Sequence, residues 1–113
     1  MVNTLYVVKP EDNVATAALD DVALGTAQLR GGREGTVELL ASIPFGHKAA
    51  IADIEEGAAI IKYGVQVAVA SRAIRCGEYV HIHNAKSMMD VRSNEHTVAE
   101  QGTAENMDRE YTL

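Results

Sequence analysis

The octapeptide GEYVHIHN, Gly77–Asn84, places two of the chain's four histidines two residues apart, with an asparagine directly after them. Read as a strand, Tyr79–His83 alternates its side chains, so Tyr79, His81 and His83 share one face while Val80 and Ile82 turn to the core. The two histidines then stand ~7 Å apart at their Cα atoms. That spacing lets both imidazoles converge on one metal ion or one anionic ligand, or exchange protons near neutral pH. Such a pair can equally be solvated and idle on the polar face of a strand, because two ligands are far less specific than a closed four-ligand zinc pattern.

A third group comes from IPFGHKAA, where Pro44, Phe45 and Gly46 form a turn that delivers His47 and Lys48. His47 can transfer protons and Lys48 can hold a carboxylate; the plain alternative is an exposed loop with ordinary surface residues. In IIKYG, Ile60–Gly64, Lys62 and Tyr63 adjoin a glycine that lets the backbone approach a ligand closely. The plain alternative there is a strand end with a snorkelling lysine and a half-buried tyrosine. Asp53 could be a ligand but reads first as a turn-former. Cys76 has Arg75 beside it and no evident general base. No phosphate-binding GxxxxGK[ST], no GxGxxG and no GxSxG is present.

The elements that must position these side chains are short. Thr4–Val8, Val14–Ala18, Thr36–Leu40, Ala58–Tyr63, Val65–Ala70 and Tyr79–His83 are rich in Val, Ile, Thr and Tyr and mostly bounded by Gly, Pro, Asn or Asp, which predicts a mostly β domain. Glu11–Asp21 or Phe45–Glu56 could hold a short helix, since Ala-rich runs such as HKAAIAD tolerate one. Val22-Ala-Leu-Gly25, Ile54-Glu-Glu-Gly57 and Ile74-Arg-Cys-Gly77 each set a β-branched residue three before a glycine. Physically this is an apolar anchor followed by a turn whose glycine takes positive φ. Three such corners suit a compact structure of short bent strands.

At 113 residues the chain predicts one domain, with a thin aliphatic core because it has no Trp and one Phe. A net charge of −6 argues against nucleic acid or an anionic membrane surface as partner. A single cysteine excludes an internal disulfide, the N-terminal MVNTLYVVKPED lacks a signal-peptide pattern, and no run approaches the ~20 apolar residues of a membrane span; the expectation is a cytoplasmic chain. From Met88 onward the sequence carries six acidic side chains, two arginines and few apolar residues. Residues 1–87 are therefore expected to form the domain, and 88–113, including His96, an acidic tail that is flexible or ordered by a partner.

The run Ile43–Asn84 resembles the small domain of the altronate and galactarate dehydratase family. The matching elements are GHK at Gly46–Lys48, DI-x-x-G at Asp53–Gly57, IKYG at Ile61–Gly64, I-x-x-G at Ile74–Gly77 and GEYVHIHN, in the family's order and spacing, with EDNVATAALDDVALG similar to its start. The resemblance spans roughly residues 4–87. It implies a SAF-type domain with a β-clip fold and a role in sugar-acid chemistry, the elimination of water from aldonic or aldaric acids. Some relatives are two-chain lyases that release sulfite from sulfolactate. It further implies a small subunit working with a larger dehydratase subunit, self-association being also open, and a divalent metal, iron among the candidates, supplied mainly by that partner. Within such a site His47, His81 and His83 would be catalytic, with His81 and His83 as metal ligands. Lys48, Lys62, Tyr63 and Asn84 would bind substrate, Asn84 by orienting a hydroxyl or a histidine. Competing expectations are a stand-alone sugar-acid-binding domain without catalysis and a purely structural subunit that drives assembly.

Overall fold

The computed structural model describes residues 3–88. These residues form nine strands: β1 (Thr4–Val7), β2 (Val14–Thr16), β3 (Gly25–Gly31), β4 (Gly35–Leu39), β5 (Lys48–Ala50), β6 (Ala59–Lys62), β7 (Val65–Ala70), β8 (Tyr79–Val80) and β9 (Ala85–Ser87). A six-stranded sheet runs in the order β4-β3-β1-β2-β5-β8, and a three-stranded sheet in the order β6-β7-β9. Among the described residues only the β1–β3 pair is parallel. The chain thus adopts the mostly β, β-clip-like fold expected from its short strands. Among the described residues no helix is long and apolar enough to cross a membrane. The acidic segment from residue 89, with His96, lies outside the described residues.

Two stretches depart from the sequence expectation. Neither Glu11–Asp21 nor Phe45–Glu56 is helical: each contributes a three-residue strand between bends, because β2 and β5 pair with one another and bury Ala15, Ala49 and Ala50 completely. Helix propensity is a weak prior that such pairing overrides. The strand predicted over Tyr79–His83 stops at Val80, and residues 81–84 form a turn. Val80 is buried as expected, whereas Ile82 is 61% exposed.

The corners repeat one construction. In Pro44–His47, Glu55–Ala58 and Arg75–Glu78 the fourth residue's N–H donates to the first residue's carbonyl, and the third residue is a glycine at φ 85°, 85° and 95°. This is a type II turn, whose third position favours glycine. Each glycine N–H then donates to the carbonyl of a buried alanine, and that alanine's N–H donates to the carbonyl of the residue after the glycine. The alanines are Ala17, Ala70 and Ala50 respectively. Ile54 and Ile74, each ahead of a turn, pair with one another, and Ile43, ahead of the third, pairs with Val22, each pair exchanging two backbone hydrogen bonds of 2.7–2.9 Å; the corner expected at Val22–Gly25 is not a turn, Gly25 instead opening β3 at φ 109°. Asp21 and Asp53 complete the corners by accepting from the N–H of Phe45 (2.7 Å) and Cys76 (2.8 Å).

The interior falls into two aliphatic clusters. One gathers Leu5, Val7, Ala15, Val22, Leu29, Leu39, Ile43 and Ala49; the other gathers Val14, Ala50, Ile54, Ile60, Ala68, Ile74 and Val80. Adjacent residues of β2 and β5 divide between the clusters, Ala15 and Ala49 going to the first and Val14 and Ala50 to the second. The sheet through β2, β5 and β8 therefore separates the two clusters, and alternation along a strand decides which side each side chain enters.

Candidate functional site

The type II turn at Pro44–His47 brings the chain into β5, which is held between β2 and β8 with Ala49 opposite Tyr79 and Lys48 opposite Val80. His47 lies on the side of Tyr79. The Tyr79 hydroxyl and His47 Nδ1 are 2.7 Å apart, and the two rings lie 5.6 Å apart at their centroids. His81 stacks on Tyr79 at 5.6 Å with 15° between planes and approaches the His47 ring to 4.9 Å. His83 reaches the same tyrosine at 5.7 Å. His47, Tyr79 and His81 are half-buried and His83 is exposed, so the four rings form one patch at the molecular surface.

Asn84 shapes this patch from beneath. It is fully buried; its Oδ1 accepts from the His81 N–H at 3.0 Å and its Nδ2 donates to the Tyr79 carbonyl at 2.9 Å. The N–H groups of Asn84 and Ala85 both donate to the His81 carbonyl. The side chain thus replaces the strand pairing that β8 loses after Val80, an Asx-type use of a short amide to stabilise a turn. It holds the His81 backbone and is itself buried.

Burial pushes the Tyr79 hydroxyl above its ordinary pKa, so the phenol keeps its proton near neutral pH. The hydroxyl donates to a bare Nδ1 or accepts from an Nδ1–H according to the tautomer of His47, and in both cases it holds the ring in place.

Lys48 goes elsewhere. Following His47 directly, it points to the opposite side of the sheet with its cross-strand partners Thr16 and Val80, and it is 2% exposed. Its pKa is lowered to about 8, chiefly by desolvation and then by the Lys62 charge. Lys62 also lies over the Tyr63 ring, with Nζ 4.8 Å from the centroid. Tyr63 (φ 60°) and Gly64 (φ 75°) form the two-residue link between β6 and β7, a hairpin geometry that requires positive φ twice. The buried Asp12 carboxylate holds that link by accepting from the N–H groups of Lys9, Tyr63 and Gly64 at 3.1, 3.1 and 2.8 Å.

The structure therefore gathers His47, His81 and His83, adds Tyr79, and leaves Lys48 and Lys62 on another face, Tyr63 in an exposed turn and Asn84 underneath. Asp53 serves a corner, and burial, then Asp53, raises the Cys76 thiol pKa, the reverse of what a nucleophile needs. Among the described residues no group of three His, Cys, Asp or Glu side chains could hold a metal ion.

Residues 3–88 match the family model of the altronate/galactarate dehydratase SAF domain. The chain is 41% identical over 75 residues to altronate dehydratase of Escherichia coli K12, covering 62% of this chain and 15% of that protein. It is 46% identical over 50 residues to the (2R)-sulfolactate sulfo-lyase subunit alpha of Chromohalobacter salexigens, covering 44% of this chain and 53% of the subunit. Altronate dehydratase of Bacillus subtilis is 40% identical over 52 residues, 46% of this chain and 10% of that protein. The matches thus span between a tenth and about half the length of these relatives.

Proposed function

Because the chain belongs to the altronate/galactarate dehydratase SAF-domain family, we propose that it is the small subunit of a sugar-acid hydro-lyase whose site is completed by a larger catalytic subunit. The observation that carries this reading is the ring patch, in which three of the four histidines meet around one tyrosine at centroid distances of 4.9–5.7 Å. The small fraction of each altronate dehydratase that the chain matches supports the need for a larger partner. So do Phe45 and Ile82, which flank the patch histidines in sequence and are 59% and 61% exposed; apolar side chains beside a polar site suit burial at an interface.

Dehydration breaks a C–H bond α to the carboxylate, turns that electron pair into a C=C bond and expels the β-oxygen, which must receive a proton; the enol then becomes a 2-keto-3-deoxy acid. His47, its ring held by the Tyr79 hydroxyl, acts as the proton donor to the leaving oxygen. His81 and His83 face the same space as proton acceptors, or as the imidazoles this chain lends to a divalent metal held mainly by the partner. A second reading, the small subunit of a sulfo-lyase, draws on the match to about half of the sulfo-lyase alpha subunit.

Co-purification from the native host with a tagged chain, followed by assay of 2-keto-3-deoxy acid formation from altronate and galactarate, tests this. A stoichiometric larger chain and activity that falls ~10²–10⁴-fold in His47→Ala are expected. Sulfite release from sulfolactate without dehydration would select the second reading. A chain that recovers no partner, or a complex fully active after His47→Ala and His81→Ala together, would overturn the shared site.

A further inference from the structure

Beside the Pro44–His47 turn the surface opens into a groove of about 700 Å³. Asn3 and Tyr6 line it from the start of the chain and from β1, and Leu19, Asp20 and Asp21 line it from the loop after β2. That loop is held against the turn by three hydrogen bonds: the Gly46 N–H donates to the Ala17 carbonyl (2.8 Å), the Ala17 N–H to the His47 carbonyl (2.9 Å), and the Phe45 N–H to Asp21 Oδ1 (2.7 Å). Groove and ring patch therefore adjoin through Phe45, two residues from His47 and exposed. Leu19, at 76%, is the most exposed large apolar side chain among the described residues, and Leu24, after the lining residue Ala23, follows at 64%. Single exposed apolar residues are ordinary on a monomer, whereas several around one polar groove mark a surface that another molecule covers.

The groove also has a sign. Asp20 and Asp21 supply two carboxylates, and no residue lining it is basic. Each carboxylate uses one oxygen on a backbone N–H, Asp20 on that of Asp21 at 2.9 Å and Asp21 on that of Phe45, and the other oxygen has no protein partner among the described residues. A sugar acid would be repelled here, so the groove is not an extension of the substrate's seat. A second copy of the chain, at net charge −6, brings mostly the wrong sign. We propose that the groove receives a basic side chain, flanked by apolar ones, from the larger catalytic subunit, with Asp20 and Asp21 taking the charge and Leu19 and Phe45 the apolar contacts. The proposal rests on the subunit reading above and adds where the partner sits: one continuous surface from the histidines across Phe45 into the groove. The altronate dehydratases, matched over 15% and 10% of their length, carry far more chain with which to cover such a face.

Amide hydrogen exchange of the full chain, alone and in complex with the larger subunit purified with it, reads the footprint. Protection of residues 18–24 and 42, contiguous with protection of 45–47 and 81–83, is expected. Protection confined to the ring patch would overturn the proposal and leave the shared site standing. Asp20→Lys and Leu19→Glu, both at exposed positions outside the core, should each weaken association about tenfold or more, with the Asp20→Lys loss shrinking in about 0.5 M salt. Glu55→Lys, at the acidic tip of another corner, controls for net charge. Groove variants that bind as the native chain does, or a Glu55→Lys that loses as much, sink the idea. The same protection appearing in the chain alone as its concentration rises would assign the groove to a second copy and overturn the partner. A native chain that binds no larger subunit removes the subunit reading together with this one, which tells the two failures apart.

Discussion

Asn84→Ala is the sharpest test of how the ring patch is held. The side chain is fully buried and makes two hydrogen bonds, 3.0 Å from the His81 N–H and 2.9 Å to the Tyr79 carbonyl. The substitution removes both while the backbone bonds of Asn84 to His81 and Ser71 survive. Each lost bond costs ~1 kcal/mol net, and a partner left buried without water adds ~1–3 kcal/mol. Because His81 is half-buried, water can reach one of the two partners, and the total comes to ~3–5 kcal/mol. At ~4–8 °C per kcal/mol for a domain of this size, Tm should fall by at least roughly 12 °C. Urea denaturation gives the free energy, and the His81 and His83 ring resonances report whether the patch loosens. Asn84→Asp should also destabilise, since it keeps an acceptor for His81 but sets a carboxylate oxygen against the Tyr79 carbonyl. A loss under ~0.5 kcal/mol with unchanged histidine resonances would refute the view that this one amide makes the turn.

Gly46 and Gly77 occupy equivalent corner positions at φ 85° and 95°, yet a Cβ at Gly46 meets nothing within 4 Å while one at Gly77 strikes the Glu38 carbonyl. Gly46→Ala should therefore cost only the ~1–2 kcal/mol of a left-handed residue, and Gly77→Ala clearly more, as read from paired melts. Lys48 binds its proton less tightly in the fold (about 8) than unfolded (10.5). The unfolded chain holds more protons between those values, so stability should rise with pH across that window, by about 3 kcal/mol at ~1.4 kcal/mol per unit. Native chain and Lys48→Met, compared by denaturation at pH 7.5 and 10.5, should differ by that amount, with Lys48→Met the more stable at the lower pH. Tyr79→Phe should leave Tm nearly unchanged but lower kcat of the complex about 10–100-fold, because His47 loses the partner that fixes its proton.

Much of the fold was legible because turns announce themselves chemically. The β-branched residue and glycine at Ile54–Gly57 and Ile74–Gly77 specify positive-φ corners, and Val65–Ala70 is a strand from end to end. The equivalent Ile43–Gly46 corner was hidden behind Pro44 and Phe45, which read as an isolated turn. β3 escaped notice because GTAQLRG is poor in β-branched residues, and β5 because Lys-Ala-Ala suits a helix until a strand on each side claims its backbone. At the candidate site, the histidines singled out at GHK and HIHN lie around Tyr79, whose place on the face expected for His81 and His83 was the signal for the ring patch. Residue adjacency misled at GHK, where strand alternation sends His47 and Lys48 apart. It misled again at HIHN, where a buried amide outcompetes strand pairing. Asp12 gave no local warning, since its three N–H donors lie at positions 9, 63 and 64.

The three corners also divide labour within the chain. Their geometry is written in backbone bonds, a methyl-sized clamp at Ala17, Ala50 or Ala70, and one glycine each. The residues in front of each glycine carry none of that burden: Pro44-Phe45 and Glu55-Glu56 are exposed, and so is Arg75 ahead of the half-buried Cys76. One tip is apolar, one doubly acidic, one basic. The scaffold thus behaves as a mount with three interchangeable fingertips, and the surface character of the molecule can be rewritten at those tips without touching the instructions for folding.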